Sequence, residues 1–259
     1  MTSTVPTQIA PDDQNRQRPS AFDAAALHAR VLHRDDAMLV IDKPAGIAVH
    51  GGPKGGVTLD DFLPDLAFGK PEMPQLAHRL DRETTGCLVL GRDKGALKRL
   101  GGLFRDGKIT KTYCAIVCGH PPEESGRIEL PLARRSHDKR SWWMKVDPAG
   151  DPSFTRYRVL GQADGIAFLA LQPETGRTHQ LRVHCAALNM PIAGDRIYGG
   201  ERAMAASRHL QLHAARIVIP VGGNRAPVRV SAPLPKPMAD LLAGLGISPA
   251  GLDTLPEQL

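Results

Sequence analysis

Hydrophobic and polar positions alternate along this 259-residue chain in short apolar runs cut by turn residues, with two stretches of helical spacing. Met38–Asp42 is an apolar run stopped by Lys43-Pro44-Ala45-Gly46, which predicts a strand entering a turn. Cys87–Leu90, Tyr113–Cys118, Tyr157–Leu160, Ile166–Leu171, Ala214–Ile219 and Val228–Val230 predict further strands. Over Lys94–Phe104 the apolar Leu97, Leu100 and Phe104 recur at helical spacing, with the basic residues off that stripe. Over His179–Leu188 the residues Leu181, Cys185 and Leu188 do the same; Thr178 is the expected cap, and Asn189 with Pro191 the stop. Residues 1–28 are rich in Pro, Gln, Asp and Ala without sustained periodicity, and we expect a disordered or loosely packed tail. One domain is expected over 29–243, and a second tail, punctuated by Pro and Gly, over 244–259. Strands outnumber helices and do not alternate with them regularly. That disfavours a doubly wound parallel sheet and predicts an α+β fold with a largely antiparallel sheet.

Composition narrows the function classes. Aromatic residues make up only 4%, so a surface built from rows of stacking rings is not expected. No apolar run reaches bilayer length and the N-terminus has no secretory apolar core, so no membrane is expected as a partner. The four cysteines, Cys87, Cys114, Cys118 and Cys185, sit inside apolar segments, as free thiols of a reducing cytoplasm would. The net charge of +6 is uneven. Arg92–Lys111 holds seven Lys/Arg against two Asp, and Arg127–Lys145 six against Glu129 and Asp138, so the rest of the chain is slightly acidic. Clustered positive charge on a near-neutral body suits a polyphosphate partner, although two solvated faces would read the same way.

Candidate chemistry concentrates in three places. His78-Arg79-Leu80-Asp81-Arg82-Glu83-Thr84-Thr85-Gly86 is a polar segment running straight into the strand at Cys87. The flanking arginines favour the charged form of Asp81, and an anionic carboxylate can attack a sugar or ring carbon. A solvated loop with weak surface ion pairs is the plain alternative. In Thr175-Gly176-Arg177-Thr178-His179-Gln180-Leu181-Arg182-Val183-His184, helical spacing puts His179 and Arg182 on one face, with Arg182 at the edge of the buried stripe. A cation there needs a carboxylate, for which Asp81 is a candidate, unless it snorkels to water. Tyr113 enters its strand just after the first basic stretch, placed either to stack on a base or to pack in the core. His179 and His184 are five apart, which does not suit a helical zinc pair, and the glycines at 51–56 and 199–200 match no phosphate loop. We expect no metal.

These segments, in order, resemble the RluA-type family of RNA pseudouridine synthases. The resemblance runs from about Val31 to Pro235, through Ile41-Asp42-Lys43-Pro44-Ala45-Gly46, the 78–86 segment, Lys111-Thr112-Tyr113, the 175–184 segment, Gly194-Asp195-Arg196-Ile197-Tyr198-Gly199 and Leu212-His213-Ala214. It implies a bent, mostly antiparallel central sheet flanked by helices and loops, with a basic cleft for a structured RNA, ribosomal or transfer. It further implies that Asp81 is the catalytic aspartate, that Tyr113 packs against the target base, that Arg182 pairs with Asp81, and that Arg79 enters the RNA where the uridine has left. Expected RNA contacts from these motifs are His78, Arg82, Thr84, Thr85, Lys111, Arg177, His179 and Gln180. Arg134, Arg135, Lys139 and Arg140 add contacts from the second basic stretch, beside Trp142 and Trp143. The isomerisation needs no redox step, metal or energy donor, so no cofactor is expected. Thr85 stands where a serine is commoner, Cys87 replaces an aliphatic residue, and Asp151 stands where a lysine often precedes Thr155-Arg156-Tyr157, which puts an RNA contact there in doubt. The residues before the first motif are too few for an S4 module. A monomer is the default, and the competing reading is a non-catalytic RNA-binding protein on the same scaffold.

Overall fold

The computed structural model describes residues 24–51, 56–136, 142–223 and 225–259. Helix α1 (Ala24–His28) leads into β1 (Val31–Arg34) and β2 (Met38–Lys43); β3 (Gln75–Leu76) and β4 (Thr85–Gly91) flank the polar segment, and α2 (Lys94–Arg105) follows. Next come β5 (Thr110–Cys118), β6 (Ser125–Glu129), the short β7 (Leu132–Arg134) and β8 (Met144–Val146), β9 (Phe154–Ala163) and β10 (Ile166–Pro173). Helices α3 (Gln180–Ala187) and α4 (Gly200–Ala206), strands β11 (Leu212–Ile219) and β12 (Val228–Ser231), and helix α5 (Lys236–Gly244) complete the domain. The main sheet runs β1-β2-β4-β11-β5-β10-β9-β6, with β12 beside β11 and β3 beside β4, while β7 and β8 form a separate two-stranded sheet. Every ladder is antiparallel except β4 with β11, so the expected α+β architecture with a largely antiparallel sheet is what forms.

The central strands read as continuous apolar runs because both faces of the sheet are covered. Side chains alternate across a strand. Leu39, Ile41, Leu88 and Leu90 therefore face one apolar cluster, and Met38, Val40, Cys87 and Val89 face another on the opposite side. The same division splits β5, with Ala115 and Val117 on the α3 side and Cys114, Ile116 and Cys118 against α4 and α5. Tyr113 packs against both clusters of the first face, at the seam between them. All four cysteines are buried and free.

That seam is where the two antiparallel halves meet, and the junction is small. Strands β4 and β11 pair only at His213 with Thr85 and at Ala214 with Gly86. Gly86 has φ +102, and a Cβ there would lie 2.3 Å from the Ala214 carbonyl oxygen, so only glycine fits. Beside it, the buried His213 points Nε2 at the Ala232 carbonyl (3.4 Å), which can only accept, leaving Nδ1 to receive the Thr85 hydroxyl at 2.8 Å.

Several expectations need correction. The supposed tail of 1–28 is helical from Ala24, and Leu27 is fully buried in the first cluster. The supposed tail of 244–259 is fastened to the sheet: Arg216 donates to the Leu252 and Leu255 carbonyls, and Gln172 bonds Glu257 and Leu259. Backbone acceptors recruited by sheet side chains leave no hydrophobic trace in the sequence. Helix α3 is not capped by Thr178; His179 holds the N-cap position in the left-handed region, and the helix starts at Gln180. A 3-10 helix at Leu59–Leu66, not anticipated, buries Leu59, Phe62, Leu63 and Leu66 and is started by Asp61, which accepts the Thr58 backbone N–H.

Two outcomes follow. Gly86→Ala is expected to lose more than about 2 kcal/mol in urea unfolding, because the clash is with backbone that cannot yield. Burial holds His213 at about pKa 4 in the folded protein, against about 6.5 unfolded. As pH falls between those values the unfolded state takes up the proton first, so stability drops by up to about 1.4 kcal/mol per pH unit. Unfolding curves at pH 7, 6 and 5 measure this, and a His213→Asn variant is expected to flatten the slope.

Candidate active site

The polar segment between β3 and β4 is held from behind. Leu80 is buried in the first cluster, and in extended chain its neighbour Asp81 then faces the other way, into a cavity of about 560 Å³. The loop backbone is gripped by Lys43, whose fully buried ammonium donates to the carbonyls of Pro44 (2.7 Å), Ile47 (3.0 Å) and Arg82 (3.0 Å). Burial pulls the Lys43 ammonium down to about 8, with Glu83 and Asp81 pulling it up. Gly46 N–H donates to the same Arg82 carbonyl, and Thr84 N–H closes a turn onto the Asp81 carbonyl. The turn predicted at Lys43–Gly46 therefore supports the segment carrying Asp81.

Across the cavity, Arg182 projects from the first turn of α3. Its expected partner was Asp81, but its main partner is Asp195: Nε and Nη2 donate to the two Asp195 oxygens at 2.8 and 2.7 Å, while Nη1 reaches Asp81 Oδ2 at 3.5 Å. A buried guanidinium is best satisfied by a planar, equally buried carboxylate. Asp195 is fully buried and also accepts the Ile197 and Tyr198 backbone N–H groups. Its burial acts to raise its pKa, but the Arg182 hydrogen bonds and charge outweigh that and hold the carboxyl below its usual range. Asp81 thus feels the cation without being locked in a two-pronged pair with it.

His179 also faces Asp81, with Nε2 3.7 Å from Oδ2, and its Nδ1 is 2.8 Å from the Tyr198 hydroxyl. Burial lowers its pKa, against an upward pull from Asp81. Tyr113 lines the cavity beside Asp81, and burial raises its phenol well above the ordinary value, so it stays protonated at neutral pH. Arg79, Arg105, Lys111 and Arg177 line the same cavity, against Glu174 and Asp81. The wall is polar, cationic and open to a polyanion.

The expected RNA contacts divide sharply. Arg79, Lys111, Arg177 and His179 line the cavity, Arg177 pairing with Asp151 at 3.2 Å. Arg82 is exposed and donates to the Gly46 carbonyl. His78 and Gln180 line the cavity as well, but like Thr85 they are hydrogen-bonded within the fold. His78 accepts the Val89 N–H and stacks on Phe104, burial pushing it down to about 3. Thr85 bonds His213, and the buried Gln180 bonds Phe154, Thr155, Thr175 and Arg177. Thr84 is also buried, at the cavity wall. Polar type alone does not distinguish a residue that bonds its own backbone from one that meets a ligand. Arg134 lies 5.2 Å over the Trp142 ring, which Arg79 approaches at 5.5 Å, and Arg135 lies 5.8 Å over Trp143. Both tryptophans are exposed, so neither fills the core. Lys139 and Arg140 lie outside the described residues. In the first basic stretch Arg92 is buried, donating to the Asp35 and Ala67 carbonyls, so that stretch is only partly a phosphate surface. Lys43 and Tyr198 were not singled out from sequence, although both stand in the quoted motifs.

Among the described residues no helix is long and apolar enough to cross a membrane. A large, mostly antiparallel sheet here carries an aspartate in a cavity lined by cations, a setting suited to an anionic polymer. Residues 37–187 match the family model for RNA pseudouridylate synthase, and the chain belongs to that family, isomerases acting on uridines in RNA. It is 41% identical over 216 residues to an uncharacterised RNA pseudouridine synthase of Zymomonas mobilis, covering 83% of this chain and 98% of that one. It is 34% identical to ribosomal large subunit pseudouridine synthase C of Vibrio parahaemolyticus, over 85% of this chain and 70% of that one. The solved human RNA pseudouridylate synthase domain containing 4 superimposes with a TM-score of 0.73 at 30% identity, covering 87% of this chain and 96% of that one.

Asp195→Ala strands a buried guanidinium and is expected to cost about 3–5 kcal/mol in urea unfolding. Pairing Asp195→Leu with Arg182→Met is expected to recover much of that stability while pseudouridine yield stays low.

Proposed function

We propose that this enzyme isomerises specific uridines in a structured RNA, with Asp81 as the catalytic residue. The observation that carries the reading is the Asp81 carboxylate on a cavity wall with Arg182, His179 and Tyr113 around it and cationic side chains at the rim. Relatives named for the large ribosomal subunit favour ribosomal RNA over transfer RNA as the substrate. The reaction breaks the N1–C1′ bond, turns the uracil and rejoins it through C5, with no net redox change. Arg182 and His179 both face Asp81 Oδ2, which leaves Oδ1 to meet the nucleotide. An anionic oxygen there assists departure of the base by attack on an electrophilic carbon or by taking a sugar proton.

The target must leave its stack, at a cost of a few kcal/mol. Tyr113 supplies a flat apolar surface for the incoming base, and Arg79, exposed at the mouth, is placed to occupy the vacated space. Arg105, Lys111 and Arg177 hold the neighbouring phosphates, so affinity falls as salt rises. A cavity of about 560 Å³ accommodates one extruded nucleotide.

Asp81→Asn is expected to abolish tritium release from RNA labelled at uridine C5 while leaving salt-sensitive RNA binding intact. Turnover retained in that variant would remove Asp81 from the chemistry, and binding without turnover in the wild type would leave only an RNA-binding scaffold.

A further inference from the structure

His179 is one of two groups that face Asp81, and nothing in the scheme above uses it. It is also held in an awkward backbone conformation. At φ +53 it sits in the left-handed region that non-glycine residues seldom occupy, and its ring is edge-on to Tyr198, with centroids 5.6 Å apart. What fixes the ring is a run of hydrogen bonds that begins on a different element. The backbone N–H of Met144, the first residue of β8, donates to the Tyr198 hydroxyl oxygen at 2.9 Å. An amide nitrogen can only donate, so that oxygen accepts; with an acceptor position taken, the phenolic proton is best spent on His179 Nδ1 at 2.8 Å. Nδ1 is then the acceptor of the imidazole. A neutral ring with Nδ1 accepting carries its proton on Nε2, the nitrogen directed at Asp81 Oδ2.

We propose that His179 is a positioning residue for Asp81, and that Tyr198, steered by the Met144 backbone, sets the tautomer in which Nε2–H points at the carboxylate. The role rests on Asp81 being the catalytic residue. The groups facing His179 are Asp81, Arg182, Asp195, Arg79 and Tyr198, and the ring is buried enough to stay neutral at physiological pH. At 3.7 Å the contact with Asp81 is longer than a formed hydrogen bond, and contacts of this kind shorten when substrate closes the site. With Arg182 on the same oxygen, His179 gives the carboxylate a second donor and so fixes its plane, directing Oδ1 toward the nucleotide. Arg182 alone cannot do this, because two of its donating nitrogens belong to Asp195. The relay also starts on β8, whose two-stranded sheet with β7 is separate from the main sheet and lies beside the exposed Trp142 and Trp143. The orientation of Asp81 thereby depends on where that hairpin sits.

Two measurements test this. In nitrogen-15 spectra of the wild-type protein at pH 7.5, His179 is expected as the neutral Nε2–H tautomer; the Nδ1–H form would overturn the proposal whatever any variant does. Tyr198→Phe removes only the hydroxyl. It is expected to lower kcat about tenfold, the worth of one lost hydrogen bond, with KM for RNA unchanged. The deficit is expected to shrink in acid, below the ordinary histidine range because burial lowers the ring's pKa, since an imidazolium carries N–H on both nitrogens and regains the donor toward Asp81. A merely structural loss would not recover with acid, so a pH-independent defect, or no defect in kcat, would also overturn it. Failure of the underlying reading looks different: Asp81→Asn would then keep its turnover, whereas failure of the relay leaves Asp81→Asn inactive and the Tyr198→Phe profile parallel to wild type.

Discussion

Two residue pairs between β4 and β11 join the two halves of the sheet, and the rest of the molecule depends on that contact. Elsewhere the ladders of the sheet are antiparallel. At Gly86 and Ala214 the backbones approach too closely for any side chain, which brings the end of the polar segment against β11. Strand β5 lies on the other side of β11, so Tyr113 arrives at the same seam from its own strand. The junction thus sets the distance between a loop residue at 81 and a strand residue at 113 that have no local reason to meet.

Around that seam the protein buries charge, which is costly unless each ion is satisfied. Lys43 meets three carbonyls; Arg182 engages both Asp195 oxygens, and the Ile197 and Tyr198 backbone amides add to Oδ1. These groups hold the loop and α3 in fixed relation before any RNA arrives. Asp81, by contrast, is left with longer contacts to Arg182 and His179. A fully paired carboxylate would be a poor reagent, and an unsupported one would wander. The arrangement separates the ion pair that builds the site from the carboxylate proposed to work in it.

The cationic surface follows the same division. Basic residues nominated by clustering alone include Arg92, which is buried and ties loop carbonyls together, and Arg127, which pairs with Glu129 and Glu174. Arg79, Lys111 and Arg177 open on the cavity because they stand at its rim, not because they stand in a basic stretch. Exposed Trp142 and Trp143, approached by Arg79, Arg134 and Arg135, extend that surface onto the β7–β8 sheet.

Sequence by itself determined most of the strands, helices α2 and α3, the α+β class and, through six motifs in order, the family, while the apolar faces of the 59–66 helix and of α5 went unread. Periodicity and local turn chemistry act over a few residues, so they are legible wherever a strand or helix has one clear face. It did not reveal that Arg182 belongs to Asp195 first, that His78, Thr85 and Gln180 are hydrogen-bonded within the fold, or that Leu27 and residues 252–259 pack against it. Those outcomes depend on which groups meet across the fold, and a hydrogen bond between residues 85 and 213, or 216 and 252, leaves no pattern in either segment. Only the tertiary structure decides whether a polar side chain is satisfied inside the protein or left to face the RNA.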